Sequence, residues 1–346
     1  MMRYKELIEK YDALVKETLA KNKSILEESF IEYFGEGFRT KILKNFADLI
    51  YVYYLNWNTI ELVCNKVSDE KREKYKPYFA FQEARNDFYH TFIQGQILPN
   101  NFIGTTDETI FLNFDIYTYI LKRINDVGAY TTLWKDDTGT KRIICFNLFL
   151  TDEEVLIHEI NHAITRDWIL EKKKNNITKL IDKAGLTIDD DGDTDEEILE
   201  ELLTEKSSMK IYEIFKRRGG DLTAFLMGGI YGSVYGYNLY LVDKFFDIFE
   251  EKIKIARMGD NKNFLLESVG RESYYLLSRL ISQYYVTDGE PISQIKEYNL
   301  DRVLSVVSYM EEYAKHQERL TDEDLMSYYQ HLIKLGKKVT VLNKVI

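Results

Sequence analysis

His158-Glu159-Ile160-Asn161-His162 is the stretch from which the middle of this chain is read. It has the form H-E-x-x-H. On a helix, two histidines four residues apart share one face, so both rings can reach a single metal ion. Glu159 stands beside them, placed to take a proton from a water on that metal. The chain has only five histidines in 346 residues, so the pattern seldom arises by chance. The plainer reading is a pair of hydrogen-bonded histidines with a solvated glutamate.

The flanking residues predict the helix that the motif needs. Thr151-Asp152-Glu153-Glu154 has the form of a capping box, with Thr151 as N-cap and Glu154 at N3. Leu156, Ile160, Ala163 and Ile164 form an apolar face opposite the histidines. Glu171-Lys172-Lys173-Lys174 places cations at a helix C-terminus, and Asn175-Asn176 follow as breakers. The pattern predicts a helix of about five to six turns.

A catalytic zinc takes three protein ligands and keeps one position open. A metzincin would have glycine at 165 and histidine at 168; Thr165 and Trp168 exclude that class. Asp167 falls one residue short of the x-x-G-x-x-D spacing, without its glycine. The next predicted helix, about 195–217, carries Glu201 and Glu205 one turn apart on one face. Glu201 can ligate a metal, and Glu205 can accept the free N–H of His158 and so fix its tautomer. Glu197 and Glu200 are alternative ligands. The plain reading of this helix is a solvated acidic face.

With the E-x-x-T-E form of Glu201-Leu202-Leu203-Thr204-Glu205, the chain resembles the gluzincins, the thermolysin-like zinc metallopeptidases, in their small bacterial and phage forms. The resemblance is close over about 151–210 and loose elsewhere. It implies zinc held by His158, His162 and Glu201, with Glu159 as general base in hydrolysis of a peptide or protein substrate. Glu201 follows Glu159 by 42 positions, long for the thermolysin type, and 177–194 reads as an insertion.

Composition narrows the alternatives. The chain is 41.0 kDa, enough for one large domain or two ordinary ones. Hydrophobic residues make up 45%, so a full core can form. A net charge of −11 argues against a general nucleic-acid partner. Cys64 and Cys145 make no disulfide framework and lack zinc-finger spacing, which fits a reducing compartment. The N-terminus runs straight into a charged amphipathic helix with no signal-peptide pattern, so the expected location is cytoplasmic. Leu222–Val242 is long enough for a membrane span and free of charge. Its glycines, tyrosines and Asn238 make it weakly hydrophobic on insertion scales, and it is read as a packed helix.

The predicted organisation is α+β and mostly α. A zincin-like catalytic core, 99–220, holds a small sheet or hairpin with the H-E-x-x-H helix and the Glu-ligand helix; helical regions, 1–98 and 221–346, flank it. Helices are predicted at about 3–21, 24–34, 38–67 and 69–95, then at about 221–256, 261–286, 299–316 and 321–335. Thr109–Phe114 is a strand candidate, with a short helix at about 115–126. Tyr130–Trp134 and Lys141–Phe146 flank Asp136-Asp137-Thr138-Gly139, a hairpin signal. By the zincin resemblance that hairpin is a cleft edge able to take a peptide as an added strand; otherwise it only caps the core.

Other constellations are weaker. The acidic stretch Asp189–Asp195 fails the EF-hand register at Thr187 and Ile198 and reads as a loop before a helix. An oxyanion donor is expected opposite the general base, and Tyr235 and Tyr237 are the candidates. Arg271 and Tyr274 have an R-x-x-Y spacing that resembles clostridial neurotoxin light chains, which are also zincins. The competing functional class is a non-enzymatic helical interaction module with a structural or vestigial metal site. A third reading is a membrane-embedded metalloprotease.

Overall fold

Helices dominate the structure and two small sheets complete it, an α+β, mostly α fold. The computed structural model describes residues 4–54, 103–104, 129–136, 139–147, 151–174, 177–188, 194–224, 226, 234–286 and 296–316. The chain divides into two compact units, Met1–Ile164 with Ser208–Gly232, and Thr165–Ser207 with Ser233–Ile346.

The first unit opens on one long helix, α1 (Tyr4–Phe34), where a break near residue 22 was expected. Val15, Leu19, Leu26 and Phe30 recur along one stripe and are buried. Gly35, at φ 101°, follows it in a backbone conformation open to glycine. Helix α2 (Arg39–Ala47) then leads into strand β1 (Leu49–Tyr54). The sequence pattern had run one helix through this region. Leu-Ile-Tyr-Val-Tyr-Tyr is instead a run of β-branched and aromatic residues, which suits a strand, and periodicity alone does not separate the two in a short apolar run.

Strands β2 (Ile103–Gly104), β3 (Ala129–Asp136) and β4 (Gly139–Asn147) join it in the order β2-β1-β4-β3. β1 runs parallel to β4, while β3 and β4 form the predicted hairpin, with Asp136 opposite Gly139. Ile143, Ile144, Cys145 and Phe146 of β4 are all buried, the mark of a strand covered on both faces.

Helix α3 (Glu153–Thr165) carries the H-E-x-x-H motif. Its N-cap is Asp152, whose Oδ1 accepts the Val155 N–H at 2.9 Å, one residue later than the Thr151 cap expected. Its C-terminus is held from a distance. Arg142 donates to the Ala163 carbonyl at 2.6 Å, and Asn45 to the Ile164 carbonyl at 2.8 Å. The helix therefore has 13 residues, and the chain continues as a strand where two further turns were expected.

That strand, β5 (Arg166–Lys174), begins the second unit and pairs antiparallel with β6 (Ile177–Ala184), which pairs in turn with β7 (Thr187–Ile188). Lys174 faces Ile177, so the Asn-Asn dipeptide read as a helix breaker joins two strands. The segment read as an insertion thus holds two strands of a sheet.

Helix α4 (Thr194–Arg217) matches its predicted span. It is one unbroken helix whose first part belongs to the second unit and whose last part belongs to the first. It stops in a Schellman turn: Gly220 N–H reaches the Phe215 carbonyl at 2.9 Å and Gly219 N–H the Lys216 carbonyl at 3.0 Å, with Gly219 at φ 82°.

Beyond it the helix expected over 221–256 is found only in its later part among the described residues. Residues 221–224 form a turn region, Val234–Leu241 a 3-10 helix, and α5 runs from Asp243 to Met258. Ala224 lies in the turn and Gly236 in the 3-10 helix. Helices α6 (Lys262–Val269) and α7 (Arg271–Tyr284) are divided at Gly270, φ 84°, where one helix was predicted; α8 (Lys296–His316) follows. Phe245, Phe246 and Phe249 of α5, Leu277 and Ile281 of α7 and Val306 and Val307 of α8 are buried as the core of this unit. Among the described residues no helix is long and apolar enough to cross a membrane. The predictions over 55–95, 109–126, 189–193 and 321–335 lie outside the described residues.

Candidate metal centre

One turn of α3 brings His158 and His162 together as the motif requires. Their Nε2 atoms stand 3.0 Å apart and the ring planes cross at 71°. Both rings are buried. With Zn–N bonds of about 2.0 Å, a tetrahedral centre separates two ligand nitrogens by about 3.3 Å, so the pair is already near the spacing that one ion imposes. Without an ion, the same two nitrogens can share one proton.

Glu201 of α4 completes a group with them. One ligand atom from each of His158, His162 and Glu201 lies within 4.8 Å of the others. Two imidazoles and a carboxylate are a donor set that suits zinc. The continuity of α4 accounts for where Glu201 sits. Glu201, Glu205 and Ser208 follow at i, i+4 and i+7, one stripe of the helix. Ser208 Oγ accepts from Asn161 Nδ2 of α3 at 3.0 Å, so that stripe is the one turned to the motif helix.

Glu159 is also buried, and its carboxylate is held by a residue that the sequence did not single out. Thr131 Oγ1, on β3, lies 2.8 Å from Glu159 Oε2 and 2.8 Å from the Glu159 carbonyl oxygen. Its one hydroxyl proton serves either oxygen. The hairpin before the motif helix therefore orients the candidate base. Its only sequence signal is position, since Thr131 lies on the predicted strand Tyr130–Trp134.

The ends of α3 and α4 in the first unit are fixed by Glu153. Its carboxylate accepts from the Leu222 N–H at 2.6 Å, from Tyr212 Oη at 3.1 Å and from Lys216 Nζ at 3.1 Å. Burial, then the nearby Glu153, pushes the Tyr212 phenol up to about 12. Within strand β4, burial pushes the Cys145 thiol up to about 12, with a Tyr130 hydrogen bond opposing the shift and Glu159 adding to it.

Of the alternative ligands, Glu200 is excluded by its surroundings. It is 2% exposed. Oε1 accepts from Arg257 Nε at 3.0 Å, and Oε2 from the Leu186 N–H at 3.0 Å. Glu197 is exposed and is not part of the metal group. Asp167 lies on β5, with its side chain outside the described residues. Glu205 lies on the Glu201 stripe and is half-buried.

Tyr235, in the 3-10 helix, is half-buried with its ring 6.5 Å from that of Tyr285; the Tyr237 side chain lies outside the described residues. The R-x-x-Y spacing does not make a joint site. Arg271 is exposed and donates to Asn263 at 3.2 Å, whereas Tyr274 is buried, and that burial, then Glu196 and Glu200, hold its phenol well above the usual range. No protein-family model, curated protein or solved structure matches this chain.

Proposed function

We propose that this protein is a zinc-dependent peptide hydrolase of the gluzincin type. One observation carries the reading: His158, His162 and Glu201 offer convergent ligand atoms, with Glu159 next in sequence to a ligand and oriented by Thr131. Bound there, zinc supplies Lewis acidity to the scissile carbonyl and lowers the pKa of its water toward about 7. Glu159 takes the proton from the attacking water and returns it to the leaving amine. Thr131 holds the carboxylate that makes this transfer. By the gluzincin resemblance, Glu205, one turn beyond Glu201, is the residue that would accept the remaining His158 N–H and select the tautomer that ligates. The substrate is a peptide or protein, and a cytoplasmic location fits the two-cysteine composition.

A second reading draws on burial. His158, Glu159 and His162 are 4%, 8% and 7% exposed, which also suits a closed, structural zinc in a non-enzymatic module. Glu159→Gln separates the two. The amide is near-isosteric and is no base, so the variant should keep its zinc and lose peptide hydrolysis. A peptide library scored by mass spectrometry supplies the substrate. Cleavage by the variant at the wild-type rate overturns the proposed mechanism; zinc-loaded wild type that cuts nothing in the library favours the structural site.

A further inference from the structure

We infer that Arg257 is a positioning residue for the metal centre: its guanidinium fixes the rotation of α4 so that Glu201, and not its neighbour Glu200, is presented to the histidines. The inference rests on the zinc reading above and deepens it.

Glu200, Thr204 and Ser207 lie at i, i+4 and i+7 and form one stripe of α4. Arg257, 0% exposed on α5, grips all three. Nε donates to Glu200 Oε1 at 3.0 Å, Nη2 to Thr204 Oγ1 at 2.6 Å, and Nη1 to Ser207 Oγ at 3.1 Å. A guanidinium is planar and its donors form a rigid fork, so contacts spread over two turns resist rotation of the helix in a way that one contact does not. The Leu186 N–H holds the other Glu200 oxygen. Gly185 leaves the room for it, since a Cβ there would stand 1.7 Å from Glu200 Oε1.

The ligand stripe lies one residue on, about 100° round the helix. It carries Glu201, Glu205 and the Ser208 that bonds Asn161. The acidic run Glu196-Glu197-Ile198-Leu199-Glu200-Glu201 offers several carboxylates to a metal, and a rotation of one residue would exchange Glu201 for Glu200. A buried ion pair adds little net stability, because desolvation offsets its attraction. Its use here is to decide which carboxylate turns to the motif.

The test uses the full chain with two variants, Arg257→Lys and the pair Thr204→Val with Ser207→Ala. The first keeps the charge and loses the fork; the second removes two of its acceptors and leaves no unpaired buried charge. Each is made alone and with Glu201→Ala. Circular dichroism checks folding, competition with a chromophoric chelator gives zinc affinity, and the visible spectrum of the cobalt(II) form reports ligand geometry. We expect folded variants with zinc affinity about 10- to 100-fold weaker, as for other groups that orient ligands, and an altered cobalt spectrum. With Glu201→Ala present, neither change should weaken zinc further.

Folded variants with wild-type affinity and spectrum overturn the inference, while a large loss in Glu201→Ala alone would leave the zinc site standing. An equal loss with and without Glu201 also overturns it, since the effect would then be general. Wild-type affinity in Glu201→Ala overturns the zinc reading and the role of Arg257 with it. If Arg257→Lys does not fold, the Thr204 and Ser207 pair decides.

Discussion

Two glycines in left-handed backbone allow the Glu200 contacts to be weighed directly. Gly185 has φ 61° and Gly219 has φ 82°. Alanine at either position meets the same kind of backbone strain, about 1 kcal/mol. Around Gly219 nothing lies within 4 Å of an added Cβ, so Gly219→Ala should cost little beyond that strain. At Gly185 the Cβ would fall 1.7 Å from Glu200 Oε1 and 2.3 Å from its Cδ. An unstrained C···O contact needs about 3.3 Å, so the carboxylate must retreat by about 1.5 Å. That carries its 3.0 Å bonds from Arg257 and from the Leu186 N–H beyond hydrogen-bond range. Hydrogen bonds to a charged group contribute about 1.5 kcal/mol each at the low end. Gly185→Ala should therefore destabilise by about 4 kcal/mol and exceed Gly219→Ala by about 3 kcal/mol. Urea unfolding of both variants beside wild type, followed by circular dichroism, measures the difference. Two variants within about 1 kcal/mol of each other would refute the reasoning, because they share the strain and differ in the carboxylate.

Glu153→Ala removes the acceptor of the Leu222 N–H and of Tyr212, and should cost about 3 kcal/mol in the same urea assay; Glu153→Gln keeps an acceptor and should cost less. In a Cys64→Ser background, a thiol reagent at pH 8 should modify Cys145 only as the chain opens, since the thiol is buried and held up at about 12. Between the ordinary thiol pKa of about 8.5 and this value the native state keeps a proton that the unfolded chain releases, so stability falls as pH rises through that window. Cys145→Ala should make that fall shallower, as read by urea unfolding across the window.

The parts of this protein that were legible in its sequence are those with local causes. The H-E-x-x-H spacing and the Asp-Asp-Thr-Gly hairpin each act within a few residues. The end of α3 has no such cause. It is set by Asn45, 119 residues away in sequence, and by Arg142 across the sheet, while the lysine run after it suited a longer helix. β1 was hidden because a buried strand and a buried helix present the same apolar run. Within the candidate site the histidines follow from spacing on a helix, and Glu201 was reached through the E-x-x-T-E resemblance. Thr131 and Arg257 act from other elements, and nothing in the chain around either marks it out. What sets Glu200 apart from adjacent Glu201 is likewise distant in sequence: Arg257, its partner, lies 57 residues away.

Zinc content is the measurement closest to the central claim. The purified chain, after mild dialysis, is analysed for metal beside His158→Ala, His162→Ala and Glu201→Ala. Three ligands and a water complete a tetrahedral centre, so the account predicts about one zinc per wild-type chain and its loss from all three variants. Equal zinc in all four proteins would contradict it.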